Sequence, residues 1–205
     1  MTDSASTPRR IGVFGGAFDP PHIAHAALVR AALDDLSLDE LRLVPTGQAW
    51  HKARPLTQAE HRVAMCQLAF GHIPAVMVDT REIRRSGPSY TVDTLRELSA
   101  EFPNAELYLI IGGDQARALS RWHNWQEILS LAIICVAERG YLTGANPPFM
   151  APIGSESRFR QLLLPVMPVS ATEIRSRIAA QHSVATLVFE PVARYIYDHH
   201  LYQTI

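Results

Sequence analysis

Only 2 cysteines occur in 205 residues, no basic run stands out, and no apolar stretch reaches the length that crosses a bilayer. Each shortage removes a class of function. Cys66 and Cys135 sit in Val-Ala-Met-Cys-Gln-Leu-Ala and Ala-Ile-Ile-Cys-Val-Ala, outside any close Cys/His constellation. They read as buried, reduced thiols rather than a disulfide, which suits the cytoplasm. The formal charge, 19 − 20 = −1, provides no basic stripe for a long nucleic-acid footprint, so no nucleic-acid partner is expected. A small anionic ligand needs only a few local cations and stays open. Residues 1–9 are polar and lack the apolar segment of a signal peptide, and are expected to be a disordered tail. Neither a membrane span nor an internal repeat is visible.

What is present is an apolar fraction of 47%, enough for a full core in one domain, here placed at 10–205. Short apolar segments at Arg10–Phe14, Leu41–Pro45, Val76–Val78, Leu107–Ile111 and Ile133–Ala137 read as strands. Between them, His22–Leu33, Thr57–Phe70 and Thr91–Phe102 carry helical spacing, with helical pieces at Asp114–Leu119 and Trp125–Leu131. Residues 138–158 are rich in Gly, Pro and Ser and read as a long loop, after which Gln161–Val166 is apolar again. Ser170–Ala180 and Val192–Leu201, with Pro191 near its first position, read as closing helices. This alternation predicts an α/β fold, a parallel sheet with helices on both faces and a C-terminal helical extension. Ligands on such sheets bind beyond the carboxyl ends of the strands.

Residues 11–25, Ile-Gly-Val-Phe-Gly-Gly-Ala-Phe-Asp-Pro-Pro-His-Ile-Ala-His, lie at that edge. Gly15 and Gly16 lack Cβ atoms, so the backbone there can approach a bulky anion and adopt positive φ. The following helix turns its unpaired N–H groups toward the same spot. His22 and His25 share one helical face, where imidazoles can donate to phosphate oxygens. A lone His-x-x-His is more often a cap and a packed ring; its place after Gly-Gly and Asp-Pro-Pro favours a polyphosphate site. Asp19 is the only further ligand nearby, so no metal site is expected.

Further constellations stand at other loop ends. Ser170 and Glu173 fit a capping box, and Thr172 and Arg175 add a hydroxyl and a guanidinium within the first turns, a set suited to pyrophosphate. Gly112 and Asp114 end a buried strand, where glycine permits close approach and Asp114 can accept from sugar hydroxyls or serve as an N-cap. Gly87-Pro-Ser-Tyr-Thr91 opens a helix with N–H groups available to a carboxylate or phosphate. Trp122 and Trp125 flank polar residues, so one ring is expected to face a cleft and stack on a flat heterocycle. His51-Lys52 supplies a cation in an early loop.

Taken in this order, these pieces resemble bacterial nicotinate-mononucleotide adenylyltransferases, in the nucleotidyltransferase superfamily. The likeness runs from residue 10 to 202. It includes Phe14-Gly-Gly-Ala-Phe-Asp-Pro-Pro-His-Ile-Ala-His25, Arg62 with Met65, Arg85-Ser-Gly-Pro-Ser-Tyr-Thr-Val-Asp-Thr-Leu95, Trp122–Trp125, Ser170–Arg175 and Leu201-Tyr202. The first motif alone would also fit pantetheine-phosphate adenylyltransferases or cytidylyltransferases.

The resemblance implies a Rossmann-like sheet and a reaction of ATP, with Mg²⁺, and nicotinate mononucleotide to give deamido-NAD and pyrophosphate. It further implies that His22 and His25 hold the ATP phosphates, with Gly15, Gly16 and Phe18 beside them. Ser170, Thr172 and Arg175 would grip the β,γ end, with Arg175 counted with the histidines as catalytic. Gly112 and Asp114 would lie against adenosine, and Trp122 would stack on the pyridine. Tyr90, Thr91 and the backbone at His123 would receive its carboxylate, and Lys52 would guard the phosphates. Ala24 and Ala171 depart from the family's usual Gly and frequent Ser, and Glu138-Arg139-Gly140 lacks the usual proline. Alternatives are an acceptor carrying the amide, another phosphorylated acceptor, or a nucleotide sensor without catalysis. The sequence leaves a homo-oligomer open.

Overall fold

The computed structural model describes residues 7–48, 55–139, 149–165 and 167–203. Strands β1 (Arg10–Gly16), β2 (Glu40–Pro45) and β3 (Val76–Val78) are connected by helices α1 (Ile23–Leu36) and α2 (Ala59–Phe70). Next come α3 (Arg81–Arg84), α4 (Thr91–Glu101), β4 (Glu106–Gly112), α5 (Gly113–Arg117) and α6 (Trp125–Leu131). Strands β5 (Ala132–Arg139) and β6 (Phe159–Leu164) follow, then α7 (Ala171–Ala179) and α8 (Glu190–Asp198). The 6 strands form one parallel sheet in the order β3-β2-β1-β4-β5-β6. Winding reverses between β1 and β4, so a crevice opens beyond their carboxyl ends, where Gly16 and Gly112 lie.

Period-2 alternation along each strand builds two cores. Phe14, Leu41, Leu43, Tyr108, Ile110, Ile133 and Cys135 face one side, where Leu28 of α1, Met65 of α2, Ile174 of α7 and Val192 of α8 cover them. Val13, Leu107, Leu109, Ile111, Ile134 and Val136 face the other, under Leu95 of α4, Ala116 of α5 and Ile128 of α6. The closing helices are therefore built into the first core, and the Ile23 N–H bonds the Leu187 carbonyl at 3.0 Å. Cys66 and Cys135 are buried free thiols, and burial pushes both well above the ordinary thiol value. No described helix is long and apolar enough to cross a membrane.

The structure alters three boundaries. The polar tail ends before Arg9, whose carbonyl accepts from the Glu106 N–H at 2.8 Å and whose guanidinium pairs with Glu40. The apolar segment near 161 is an edge strand beginning at Phe159; Val166 lies outside the described residues. The four-residue helix α3 has no periodic signal of its own and forms where β3 gives out against the Asp79 carboxylate, which accepts from the Arg81 N–H at 3.0 Å.

Candidate functional site

Beyond β1 the chain turns sharply, and the left-handed residue is Phe18, with φ of 47°, not a glycine. Gly15 and Gly16 stay in the extended strand, so positive φ is not what these positions need. Their value is open space. A Cβ on Gly15 or on Gly112 would meet nothing within 4 Å, because both line a cavity of about 550 Å³ at the crevice. The Phe18 ring, 1% exposed, packs edge-on to Phe14 at 5.3 Å and against His25 at 5.1 Å. Its side chain therefore buttresses His25.

His22 is the extended N-cap residue of α1, and His25 lies three positions on. The His22 backbone N–H donates to His25 Nδ1 at 3.1 Å, and the two rings stand 3.8 Å apart. With Nδ1 accepting, the His25 proton resides on Nε2. His25 is thereby oriented to donate from Nε2, in keeping with the donor role the sequence suggests.

Beneath this turn a buried polar web fixes the backbone. Arg62, 2% exposed, donates from Nη1 to the Ala17 carbonyl at 3.0 Å and from Nε to the Thr57 carbonyl at 2.8 Å. Burial lowers its pKa, while Asp19 works in the opposite direction. The Asp19 carboxylate, also buried, accepts from the Tyr202 hydroxyl at 2.7 Å and from the Thr57 N–H at 3.3 Å. Burial and the neighbouring Asp19 raise the Tyr202 phenol, so it stays a donor. Arg175 donates from Nη1 to the Asp19 carbonyl at 2.8 Å and from Nη2 to Thr172 Oγ1 at 3.1 Å. The late segment thus meets the early one. Ser170 caps α7 by accepting from the Glu173 N–H at 3.1 Å, but the capping box is not reciprocal: the Glu173 carboxylate pairs with Arg177 at 3.0 Å.

The cavity gathers most of the remaining expected residues. Tyr90 and Thr91 open α4 on one wall, Trp122 and His123 stand on another, and Gly15, Gly16 and Gly112 form the sheet edge. The Tyr90 and His123 rings lie 4.5 Å apart. Of the two tryptophans, Trp122 faces the cavity and Trp125 instead opens α6. His22, His25, Ser170, Thr172 and Arg175 do not line it. Arg175, with Thr172, meets the turn before His22 at the Asp19 carbonyl, and Phe14, which lines the cavity, lies 5.9 Å from the His25 ring.

Asp114 is in neither group. It is not the N-cap of α5, which is Gly112, and its exposed carboxylate pairs with Arg117 one helical turn away. Lys52 lies outside the described residues. Glu82 carries no local signal, and Thr94 stands in the Arg85–Leu95 motif without a role of its own there; both line the cavity. Thr94 Oγ1 donates to Glu82 Oε1 at 2.8 Å. Burial raises the Glu82 carboxyl above its ordinary value, against the lowering effect of Thr94, Arg85, Gly47 and Ser89. Asp19, Arg62 and Tyr202 as a support web were equally hidden, since contacts between distant segments leave no local pattern.

Comparison with known proteins accords with this geometry. A cytidylyltransferase-like family model matches residues 13–177. A protein of Albidiferax ferrireducens named "Probable nicotinate-nucleotide adenylyltransferase" is 66% identical over 196 residues, covering 96% of this chain and 99% of the relative. A protein of the same name from Methylibium petroleiphilum is 43% identical over 203 residues, covering 97% and 95%. Among solved structures, Plasmodium falciparum nicotinic acid mononucleotide adenylyltransferase complexed with NaAD superposes with a TM-score of 0.75 at 20% identity. It covers 95% of this chain and 97% of that one, a likeness of fold.

Proposed function

The chain belongs to the nicotinate-nucleotide adenylyltransferase family, and from that premise we propose how its own residues transfer the adenylyl group of ATP to nicotinate mononucleotide. An anionic phosphate oxygen of the mononucleotide attacks the α-phosphorus of ATP. A new P–O bond forms, the bond to the β-phosphate oxygen breaks, and pyrophosphate leaves with its electron pair. The nucleophile is already ionised, so the protein needs no general base. Its contribution is positioning and the neutralisation of charge. His25 Nε2–H and His22 donate to the phosphates, and Arg175 with Thr172 and Ser170 holds the pyrophosphate end. Trp122 stacks on the pyridine, and the N–H groups at the start of α4, with Tyr90 and His123, receive its carboxylate. Gly15, Gly16 and Gly112 let the nucleotides lie against the sheet edge.

Among the described residues, no group of three or more His, Cys, Asp or Glu side chains can hold a metal ion. The nearest carboxylate, Asp19, is engaged by Tyr202 and Thr57. On this reading Mg²⁺ would enter with the substrate, on the ATP phosphates. The observation that carries this reading is the bond from Arg175 to the Asp19 carbonyl, which brings the late cation to the early histidine turn beside the cavity. The test is pyrophosphate release from ATP with nicotinate or nicotinamide mononucleotide as acceptor. The acid should be the better acceptor, because backbone donors meet a carboxylate. Release with neither acceptor would leave a nucleotide-binding protein without this activity.

A further inference from the structure

Glu82 sits on the four-residue α3, contributes to the cavity wall, and is 7% exposed. Groups from three segments surround its carboxylate. Thr94 Oγ1, from the body of α4, donates at 2.8 Å. Gly47, just beyond β2, and Ser89, in the turn before α4, stand beside it and favour its ionised form. Both hydroxyls are already committed as acceptors. Ser89 Oγ takes the Gln48 N–H at 3.2 Å, and Thr94 Oγ1 takes Arg85 Nη1 and Nη2 at 3.4 Å. The Thr94 proton is thereby aimed at Glu82.

The same two segments are knitted by backbone contacts. Gln48 bridges to Pro88, and the Ser89 N–H bonds the Gln48 carbonyl at 3.2 Å. The fit is tight, since a Cβ on Gly47 would fall 2.1 Å from the Glu82 carbonyl oxygen. Tyr90 and Thr91 follow Ser89 directly.

We propose that Glu82 is the positioning residue of the acceptor end of the cavity, its carboxylate tying the segment after β2 to the turn before α4. In that role it sets Tyr90 and Thr91 at the place where the acceptor's carboxylate is received, a role that rests on the function proposed above. A carboxylate suits the task because it is acceptor-only and faces only donors. An amide of the same shape would turn N–H groups of its own against them. A side chain that merely filled space would not register that difference.

The discriminating variant is Glu82→Gln, studied by steady-state kinetics with each substrate varied and by amide hydrogen exchange of the ligand-free protein. KM for nicotinate mononucleotide should rise about tenfold or more through misplacement of the binding groups, with KM for ATP changed less than about twofold. Exchange should quicken at residues 46–48 and 87–94 and stay unchanged at 15–25. A silent variant, equal rises in both KM values, or unaltered exchange at 46–48 overturns the proposal. Should Glu82→Gln fail to fold, Thr94→Val removes one of the same ties, and an unchanged ratio of the two KM values there has the same force. If the wild-type protein does not turn over nicotinate mononucleotide, the functional reading falls, and the exchange measurement still decides whether Glu82 holds the two segments.

Discussion

Arg175 Nη1 stands 2.8 Å from the carbonyl oxygen of Asp19, across 156 positions of sequence. The guanidinium also reaches Thr172, so its plane is set by two acceptors before any ligand arrives. Pre-orientation of this kind lowers the reorganisation needed when charge develops on a leaving group. Arg175→Ala is expected to lower kcat/KM for ATP by about 10²–10³-fold. Arg175→Lys should not restore it, because a single ammonium cannot reproduce the planar fork. Kinetics with ATP varied checks both, and full activity in the lysine variant would show that only charge matters.

His25 is oriented to donate from Nε2. Its removal in His25→Ala should cost about 3 kcal/mol of transition-state stabilisation with the fold retained. His25→Gln, which can place an amide N–H close to the Nε2 position, should keep more turnover. Equal losses in the two variants would argue against the donor role.

Gly15 and Gly112 have room for a side chain in the unliganded protein, and neither adopts positive φ. Gly15→Ala and Gly112→Ala should therefore melt within about 1 kcal/mol of wild type, on the scale of a glycine-to-alanine change in compatible backbone. Binding should suffer instead, because the new methyl points into the cavity. Calorimetric titration with ATP and with the mononucleotide measures this. Unaltered affinity would place the ligands away from the sheet edge.

Trp122→Ala should raise KM for the pyridine nucleotide far more than for ATP. Parallel increases would mean that the ring serves the second core, against which it also packs.

How much of this was legible in the chain depends on the range of the interaction concerned. Strands such as Val76–Val78 and helices such as Trp125–Leu131 carry their own periodicity and fell where expected. The turn expected at Gly15-Gly16 falls at Phe18, beyond the strand end, whereas the Ser-x-x-Glu start of α7 is local chemistry and could be placed. Half of the capping box could not, since Arg177 competes for the Glu173 carboxylate from the next turn. Glu82 lies between Arg81 and Arg84 and reads as one more solvated charge; only the approach of Thr94, Ser89 and Gly47 makes it a junction. Asp114 is the opposite case, a suggestive position whose exposed side chain pairs with Arg117.

Asp79 supplies a pH test of stability. Burial opposes its ionisation, but hydrogen bonds from Arg81 and Arg42 prevail and hold its carboxyl below the ordinary value of 3.8. A folded-state pKa below the unfolded one means that its contribution is complete above 3.8 and disappears as pH falls through the lower folded value. Thermal melts across the acid range should show this slope, and Asp79→Asn should flatten it. An unchanged acid slope in the variant would assign the loss to other carboxylates.

The hydroxyl of Tyr202, near one end of the chain, anchors the same aspartate whose carbonyl receives Arg175 near the start. The turn that carries the nucleotide signature is thus braced from 183 positions further along the chain. A lesion at Tyr202 would reach the histidine turn through Asp19 without touching a substrate itself.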